Sequence, residues 1–472
     1  MEETSRLTCD FAVIGGGIAG MVAAVRAAQG GKRVLVFEKS SEDRYMCNSR
    51  ITAGVFHCAM TDILTDPKEL EDKILQITGG YAHHGQARAV AKDGIRAVRW
   101  LQNQGIRFIK GQESYHNFML SPPTVTTQGR QWEGRGGDVL LRTLEAALNK
   151  NGGQIHRGHR VNRLCKEGER CVGVTGLTAG GKMFEVTALN TLLADGGFQG
   201  DPELMRGPVT PAPEKVFQRN ARTGTGDGLR MAREFGAQIS DMRGFYGHIL
   251  SRDAFTNDKL WPYPWLDFVA SAGILAGRNG RRFCDEGLGA IYMANEIALL
   301  VDPLSATVIA DQTIWNGPGA EKMLAPNPRL VDAGATAFKA SSLAELAVKA
   351  GIAPGPFVKE VEGYNDAIRA RTPNRLAPER STHKFQPYPI EKQPFYAFPV
   401  CAGVTYTMGG VSIDEFGRII HANGQVIQGL YAAGSTTGGL EGGEKRGYVG
   451  GLIKSAVTGL RVAEYILGTL QE

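Results

Sequence analysis

Two groups of residues stand out for the chemistry that their types and spacing allow. The first is Gly15-x-Gly17-x-x-Gly20, followed by Glu38 at the end of the next apolar run. In such a motif the first glycine permits a tight turn and the second lets the backbone approach a pyrophosphate; the third lets helix and strand pack closely. A helix opening there turns its positive end toward phosphate, and an acid at the end of the next strand accepts hydrogen bonds from a ribose. Ile18 and Ala19, inside the motif, and Lys39, beside the acid, belong to the same candidate dinucleotide site. The second group is GGLEGGEKRGYVGGL, residues 438–452, which sets Glu441, Glu444, Lys445, Arg446 and Tyr448 where the backbone must bend sharply. A phenol near pKa 10 is a poor base unless adjacent positive charge favours phenolate. Arg446 and Lys445, close to Tyr448 in the chain, are expected to supply that charge. Arg446 has a second reading as a two-pronged clamp on a substrate carboxylate, and the bland reading of the whole stretch is an exposed turn with solvated charges.

The elements around these residues alternate. FAVIGGG is a short apolar strand, IAGMVAAVRAAQGG has a helical period, and KRVLVFEKS is a second strand. Strand, glycine turn, helix and strand make a βαβ unit of a parallel sheet. A helix is expected from Asp138 to about Lys150, then strands in QIHRGHRVNRLCKEG, RCVGVTGLT and KMFEVTALNTLLADGG. Residues 241–393 change character, with LWPYPWLDF, a turn at GRNGRRF and helical pieces such as SSLAELAVKAG. Strands return in VSIDEFGRIIHANGQVIQGLYAAGS, and the chain ends in a helix with Leu452, Ala456, Leu460, Ala463 and Leu467 on one stripe.

The 472 residues exceed what one hydrophobic core usually holds, so two interleaved domains are expected. The fold expected is α/β: a Rossmann-like dinucleotide domain split as 1–240 and 394–472, with an inserted α+β capping domain over 241–393. A net charge of +5 without a basic run argues against a nucleic-acid partner. Seven scattered cysteines form no CxxC pair, and His57, His83, His84, His116 and His248 show no metal spacing, so no metal site is expected. The acidic start does not read as a signal peptide and no run approaches the ~18 apolar residues of a membrane span. These features suit a reducing, cytoplasmic setting.

LLADGGFQGD, with Gly196-Gly197, and GLYAAGSTTGG, with Gly434-Ser435, are two further apolar strands that end in a glycine turn. Widely separated segments meeting one dinucleotide suit FAD. Here the chain resembles the flavoprotein subunits of fumarate reductase and succinate dehydrogenase and their soluble relatives, among them ketosteroid, tricarballylate and 4-oxocyclohexanecarboxylate dehydrogenases. The resemblance spans nearly the whole length and rests on VIGGGIAG, NSRITAG (48–54), ADGGF, TGTGDGLRMAREFGA (223–237), GRRFCDE (280–286), PFYAFPVCAGVTYTMGGVSID and the C-terminal helix.

The resemblance implies that Asn48, Ser49 and Gly54, with Thr52 between them, follow the ribityl chain and flavin edge. It implies that Val161 contacts the adenine, Asp227 the flavin or its chain, and Leu452 and Ile453 the pyrimidine ring. Relatives with covalent FAD carry a histidine near Asn48, so noncovalent FAD is expected; Ser435 stands where relatives have glutamate. Gly450 and Gly451 would bring backbone against the flavin, and the helix that starts there would stabilise an anion at N1–C2=O. In the fumarate reductases an arginine four residues after the glutamate of the RFxNE element donates the proton, and a histidine before TMGG grips a carboxylate. This chain has Ala290 and Tyr406 at those places. The two departures favour the tyrosine chemistry of the ketone dehydrogenases, with Tyr406 and Tyr448 as base candidates. The activity expected is desaturation α,β to the carbonyl of a small or cyclic keto compound, such as 4-oxocyclohexanecarboxylate. Electrons would pass to oxygen, a quinone or another protein. The runners-up are a di- or tricarboxylate dehydrogenase or fumarate-like enoate reductase, and a flavoprotein without turnover.

Overall fold

A computed structural model describes residues 5–123, 132–321 and 325–470. The apolar run at the start forms the strand Ser5–Ile14, parallel to Val34–Glu38 on one side and to Met183–Leu193 on the other. Val426–Ala432 extends the sheet beyond Met183–Leu193, and Gln154–Arg157 extends it beyond Val34–Glu38, both parallel. Val34–Glu38 is buried throughout, which is why it reads as an unbroken apolar run instead of an alternating one. Gly158, at φ +67, breaks the stretch expected as one strand into Gln154–Arg157 and His159–Glu167. The latter opens an antiparallel meander through Arg170–Thr178 to Met183–Leu193.

Ile18–Gln29 is apolar nearly all round and buried almost throughout, as a helix enclosed on several sides must be. The last helix, Gly451–Ile466, packs across it. Its buried side is broader than the expected stripe, running through Ile453, Ala456, Val457, Leu460, Val462 and Ala463, while Leu452 is only half-buried. A Cβ on Gly459 would lie 2.3 Å from the Ala19 carbonyl oxygen, so the helices approach more closely than any side chain permits. Gly459→Ala should therefore cost about 1–3 kcal/mol of overpacking. Gly355→Ala, where an added Cβ meets nothing within 4 Å, should be near neutral; thermal melts of the two variants check this. The expected helix after Asp138 begins slightly earlier, as Gly136–Lys150. Among the described residues no helix is long and apolar enough to cross a membrane.

The second sheet is antiparallel in the order Phe245–Ser251, Phe395–Thr407, Thr307–Ala310, Ile274–Ala276. Phe338–Ala340 also pairs antiparallel with Phe395–Thr407, and Phe217–Gln218 pairs with it in parallel. This 13-residue strand, almost entirely buried, continues past the boundary expected at 393/394, and we propose that the capping unit closes at Thr407. Asn295, on the helix Ala290–Leu299, accepts from Phe245 N and donates to Phe245 O at 3.0 and 2.9 Å. It thereby fixes the start of the strand that carries Tyr246 and His248. One apolar cluster runs from the meander into this second sheet, while the helical layer forms another.

Candidate active site

The glycine turn lies where the first strand ends. Gly15 has φ +104 and donates to Phe37 O at 2.9 Å; a Cβ there would lie 2.6 Å from Ala194 O. A Cβ on Gly20 would lie 2.1 Å from Gly15 O. Gly17 caps the helix without any side chain, leaving its first N–H groups to a ligand, apart from Ile18 N, which donates to Ser49 Oγ at 2.9 Å. The buried Glu38 carboxylate accepts from Gly16 N at 3.1 Å and Ser40 N at 3.0 Å. It is thus anchored beside the turn with lone pairs to spare for a diol. A cleft of about 840 Å³ of empty volume opens here. It is lined by Gly15, Gly17, Ile18, Ala19, Glu38, Lys39, Asn48, Ser49, Val161, Gly196, Gly197, Asp227, Gly434 and Ser435. Backbone kept bare by glycine, an uncapped helix N-terminus and an anchored acid fit a dinucleotide with its pyrophosphate at the turn.

Sequence reasoning missed several groups of this cleft. His159 and Arg160 line it; Arg160 donates to Asp227 at 3.2 and 2.8 Å, and Lys39 does so at 3.4 Å. Burial opposes the charge on Asp227, but these cations outweigh it and hold the carboxyl below its ordinary value. Burial pushes the neighbouring Asp195 up to about 6, against the Gly228 N–H that it accepts at 2.8 Å. A lone aspartate ahead of a glycine pair gives no such signal in sequence.

Of the remaining candidates, Gly450, Gly451 and Tyr448 gather around Tyr406, while Gly54 lies against Leu120. Gly54 N donates to Thr52 Oγ1 at 3.2 Å. A Cβ on Gly450 would lie 2.6 Å from His57 O, and one on Gly451 would lie 2.9 Å from the Tyr406 ring. Leu452 and Ile453 open the last helix beyond them. Asn48 bridges the two parts, donating to Thr405 O and accepting from Ala221 N, both at 2.9 Å. A register shift in the pairing of Phe245–Ser251 with Phe395–Thr407 sets Tyr246 directly across from Tyr406. Such bulges re-aim side chains.

Two hydrogen-bonded assemblies meet at this bulge. Tyr406 is buried and donates to Glu441 at 2.9 Å. Glu441 also accepts from Val449 N, Gly450 N and the buried Lys454 at 3.0, 3.1 and 3.4 Å. Tyr448 stacks on Tyr246, with ring centroids 3.9 Å apart and planes 8° apart, so that each phenol acts on the other. Tyr246 approaches His248 Nε2 at 3.0 Å, and His248 Nδ1 lies 2.7 Å from Asp267. His248 stacks at 3.8 Å on Trp265 of the WPYPW segment, and Arg219 spans Tyr263 and Trp265. Tyr115 and Tyr448 each set an edge against His57, at 5.5 Å. His57 and His248, which show no metal spacing in the sequence, both stand in this cluster.

The expected activation of Tyr448 by Arg446 and Lys445 is not what the structure holds. Burial, then Tyr246 and Glu441, push the Tyr448 phenol well above its ordinary value. Burial and Glu441 do the same to Tyr406. Lys445 is exposed. Arg446, half-buried at φ +50, runs along Gly244, donates to Gly443 O at 3.3 Å and acts on Glu296 and Tyr292 of the cap. Neighbours in sequence thus point apart, because the left-handed residue turns the chain between them. Both phenols keep their protons at neutral pH.

Burial pushes the His57 imidazole down to about 4. The folded chain therefore binds fewer protons than the unfolded one below pH 6.5, so stability is lost as pH falls from about 6.5 toward 4. The shift from 6.5 to about 4 corresponds to roughly 3 kcal/mol. His57→Gln should flatten that part of the profile; urea melts at pH 7.5 and 4.5 measure it.

The fold and cleft are those of an FAD-dependent oxidoreductase. Residues 10–448 match the FAD binding domain family, and the chain belongs to it, with FAD as its cofactor. It is 25% identical over 452 residues to the NADH:fumarate oxidoreductase of Klebsiella pneumoniae, covering 93% of this chain and 45% of that longer protein. It is 26% identical over 521 residues to the 4-oxocyclohexanecarboxylate 2-dehydrogenase of Sinomonas cyclohexanicum, covering 92% of this chain and 88% of that one. Its fold matches that of 3-ketosteroid-Δ4-(5α)-dehydrogenase from Rhodococcus jostii with a TM-score of 0.74 at 20% identity, over 99% and 98% of the two chains.

Proposed function

We propose that the chain interconverts a saturated and an unsaturated bond α,β to the carbonyl of a small or cyclic keto compound, such as a cyclohexanone carboxylate. The observation that carries this reading is the pair of protonated phenols at the bulge, the buried Tyr406 and the half-buried Tyr448. FAD, when bound in the cleft, would supply a two-electron acceptor or donor for the hydride of the β carbon. The phenols hold the proton of the α carbon: one O–H polarises the carbonyl oxygen while the other exchanges a proton with carbon. Glu441, in place to accept the Tyr406 proton, and the partners of Tyr448 let a phenol act without standing as a free phenolate. Arg446, whose buried Nε has no hydrogen-bond partner among the described residues, would take a substrate carboxylate. Asn48 spends both ends of its amide on Thr405 and Ala221, in keeping with noncovalent FAD. The electron partner would be oxygen, a quinone or a protein.

A second reading is the reductive direction, favoured by the same protonated phenols and by the likeness to the fumarate oxidoreductase. Anaerobic mixing separates the two. Bleaching of the oxidised flavin by cyclic ketones supports desaturation, and reoxidation of the reduced enzyme by enones or unsaturated dicarboxylates alone supports reduction. No response to either sinks both.

A further inference from the structure

Tyr246, His248 and Asp267 have no part in the chemistry assigned so far, yet they form a hydrogen-bonded chain on which Tyr448 stacks, with ring centroids 3.9 Å apart. Tyr246 and His248 stand two apart on one strand, hence on one face. The imidazole is pinned from three sides. It lies flat on Trp265 at 3.8 Å, Asp267 holds Nδ1 at 2.7 Å, and Nε2 faces the Tyr246 hydroxyl at 3.0 Å. Asp267 is itself fixed, accepting from Ile249 N at 2.9 Å. A carboxylate on Nδ1 sets the tautomer that leaves Nε2 an acceptor.

We propose, resting on the reading above, that Tyr246, His248 and Asp267 are a proton relay that lets Tyr448 exchange a proton with the substrate's α carbon. The α C–H bond breaks and its electron pair moves to the carbonyl oxygen as an enolate. The proton goes to the Tyr448 oxygen as the Tyr448 proton passes to Tyr246 and that of Tyr246 passes to His248 Nε2. The resulting imidazolium faces Asp267. The reverse order returns a proton to carbon. The charged and titratable groups facing the imidazole are Asp267 from the helix below, Arg219 from the neighbouring loop and Tyr246 on its own strand. Burial, aided by Arg219 and opposed by Asp267, holds His248 below its ordinary value, so it is a neutral acceptor at pH 7. Burial also keeps Tyr246, at about 12, a donor.

The test uses the FAD-loaded protein and His248→Gln, which keeps an acceptor for Tyr246 but cannot carry a proton. Exchange of a cyclic ketone's α hydrogens with D2O, followed by NMR, should slow about 100-fold. FAD content should stay unchanged, and the acid limb of wild-type exchange below pH 6.5 should disappear. In the wild type, ring ¹⁵N NMR should show His248 with Nδ1 protonated and Nε2 bare, and Tyr246→Phe should shift Nε2. Unaltered exchange with the same acid limb in His248→Gln overturns the relay and leaves the tyrosine reading standing. Wild-type protein that exchanges nothing overturns the reading beneath it. Where His248→Gln does not retain FAD, Tyr246→Phe decides: slowed exchange supports the relay and wild-type exchange overturns it.

Discussion

Gly15→Val should emerge from purification folded but nearly colourless, with FAD below about a tenth of the wild-type content. A side chain at φ +104 is strained by on the order of 1–3 kcal/mol. It would also lie 2.6 Å from the Ala194 carbonyl, so the turn must move away from the strand end that positions it. Strain of that size lowers affinity by about tenfold or more, since tenfold corresponds to about 1.4 kcal/mol. The displaced turn is also the one that frees the N-terminus of Ile18–Gln29 for phosphate. Gly31→Val is the control. It shares a positive φ of +80 but meets nothing within 4 Å, so it should cost stability and keep the flavin. Absorbance spectra with protein quantitation measure both; full FAD in Gly15→Val would remove the cofactor from this cleft.

The second large effect concerns the phenols. Tyr406→Phe and Tyr448→Phe should each slow the step that moves the α proton by about 10²–10⁴-fold, with FAD retained. Neither should unfold the chain. Glu441 keeps Val449 N, Gly450 N and Lys454 when the Tyr406 hydroxyl is gone, so about 1 kcal/mol is at stake. Phenylalanine at 448 preserves the stack on Tyr246. Stopped-flow absorbance under anaerobic conditions resolves the step from product release.

The dinucleotide half of the site was legible in the sequence because local rules write it. A strand end, three spaced glycines, a helix, a second strand and an acid follow one another between Gly15 and Glu38. Each has a steric or electrostatic reason that does not depend on the rest of the fold. Gly158 was not legible as a break, since glycine in a strand also marks bulges and close approaches. The half around Tyr406 was only partly legible. Tyr406 and Tyr448 stood out, but adjacency suggested Arg446 as the partner of Tyr448. The partners are instead Tyr246 and Glu441, and Tyr246 is remote in sequence, brought there by the pairing of Phe245–Ser251 with Phe395–Thr407. Tyr246-x-His248 carries a weak signal, one face of a strand, which says nothing until the opposite strand is known. Glu441 and Lys454 were hidden for another reason. Charges in or just after a glycine-rich turn read as solvated, whereas here both are buried: Glu441 accepts from the turn's own N–H groups and from Lys454 of the last helix.

The central claim is that the phenols carry the α proton of a carbonyl substrate. The direct measurement is NMR of α-hydrogen exchange into D2O for cyclohexanone and 4-oxocyclohexanecarboxylate, with wild-type, Tyr406→Phe and Tyr448→Phe proteins at equal FAD content. Exchange by the wild type that collapses in at least one of the two variants is the predicted result. Exchange as fast in the Tyr406→Phe/Tyr448→Phe double variant as in the wild type would contradict the account.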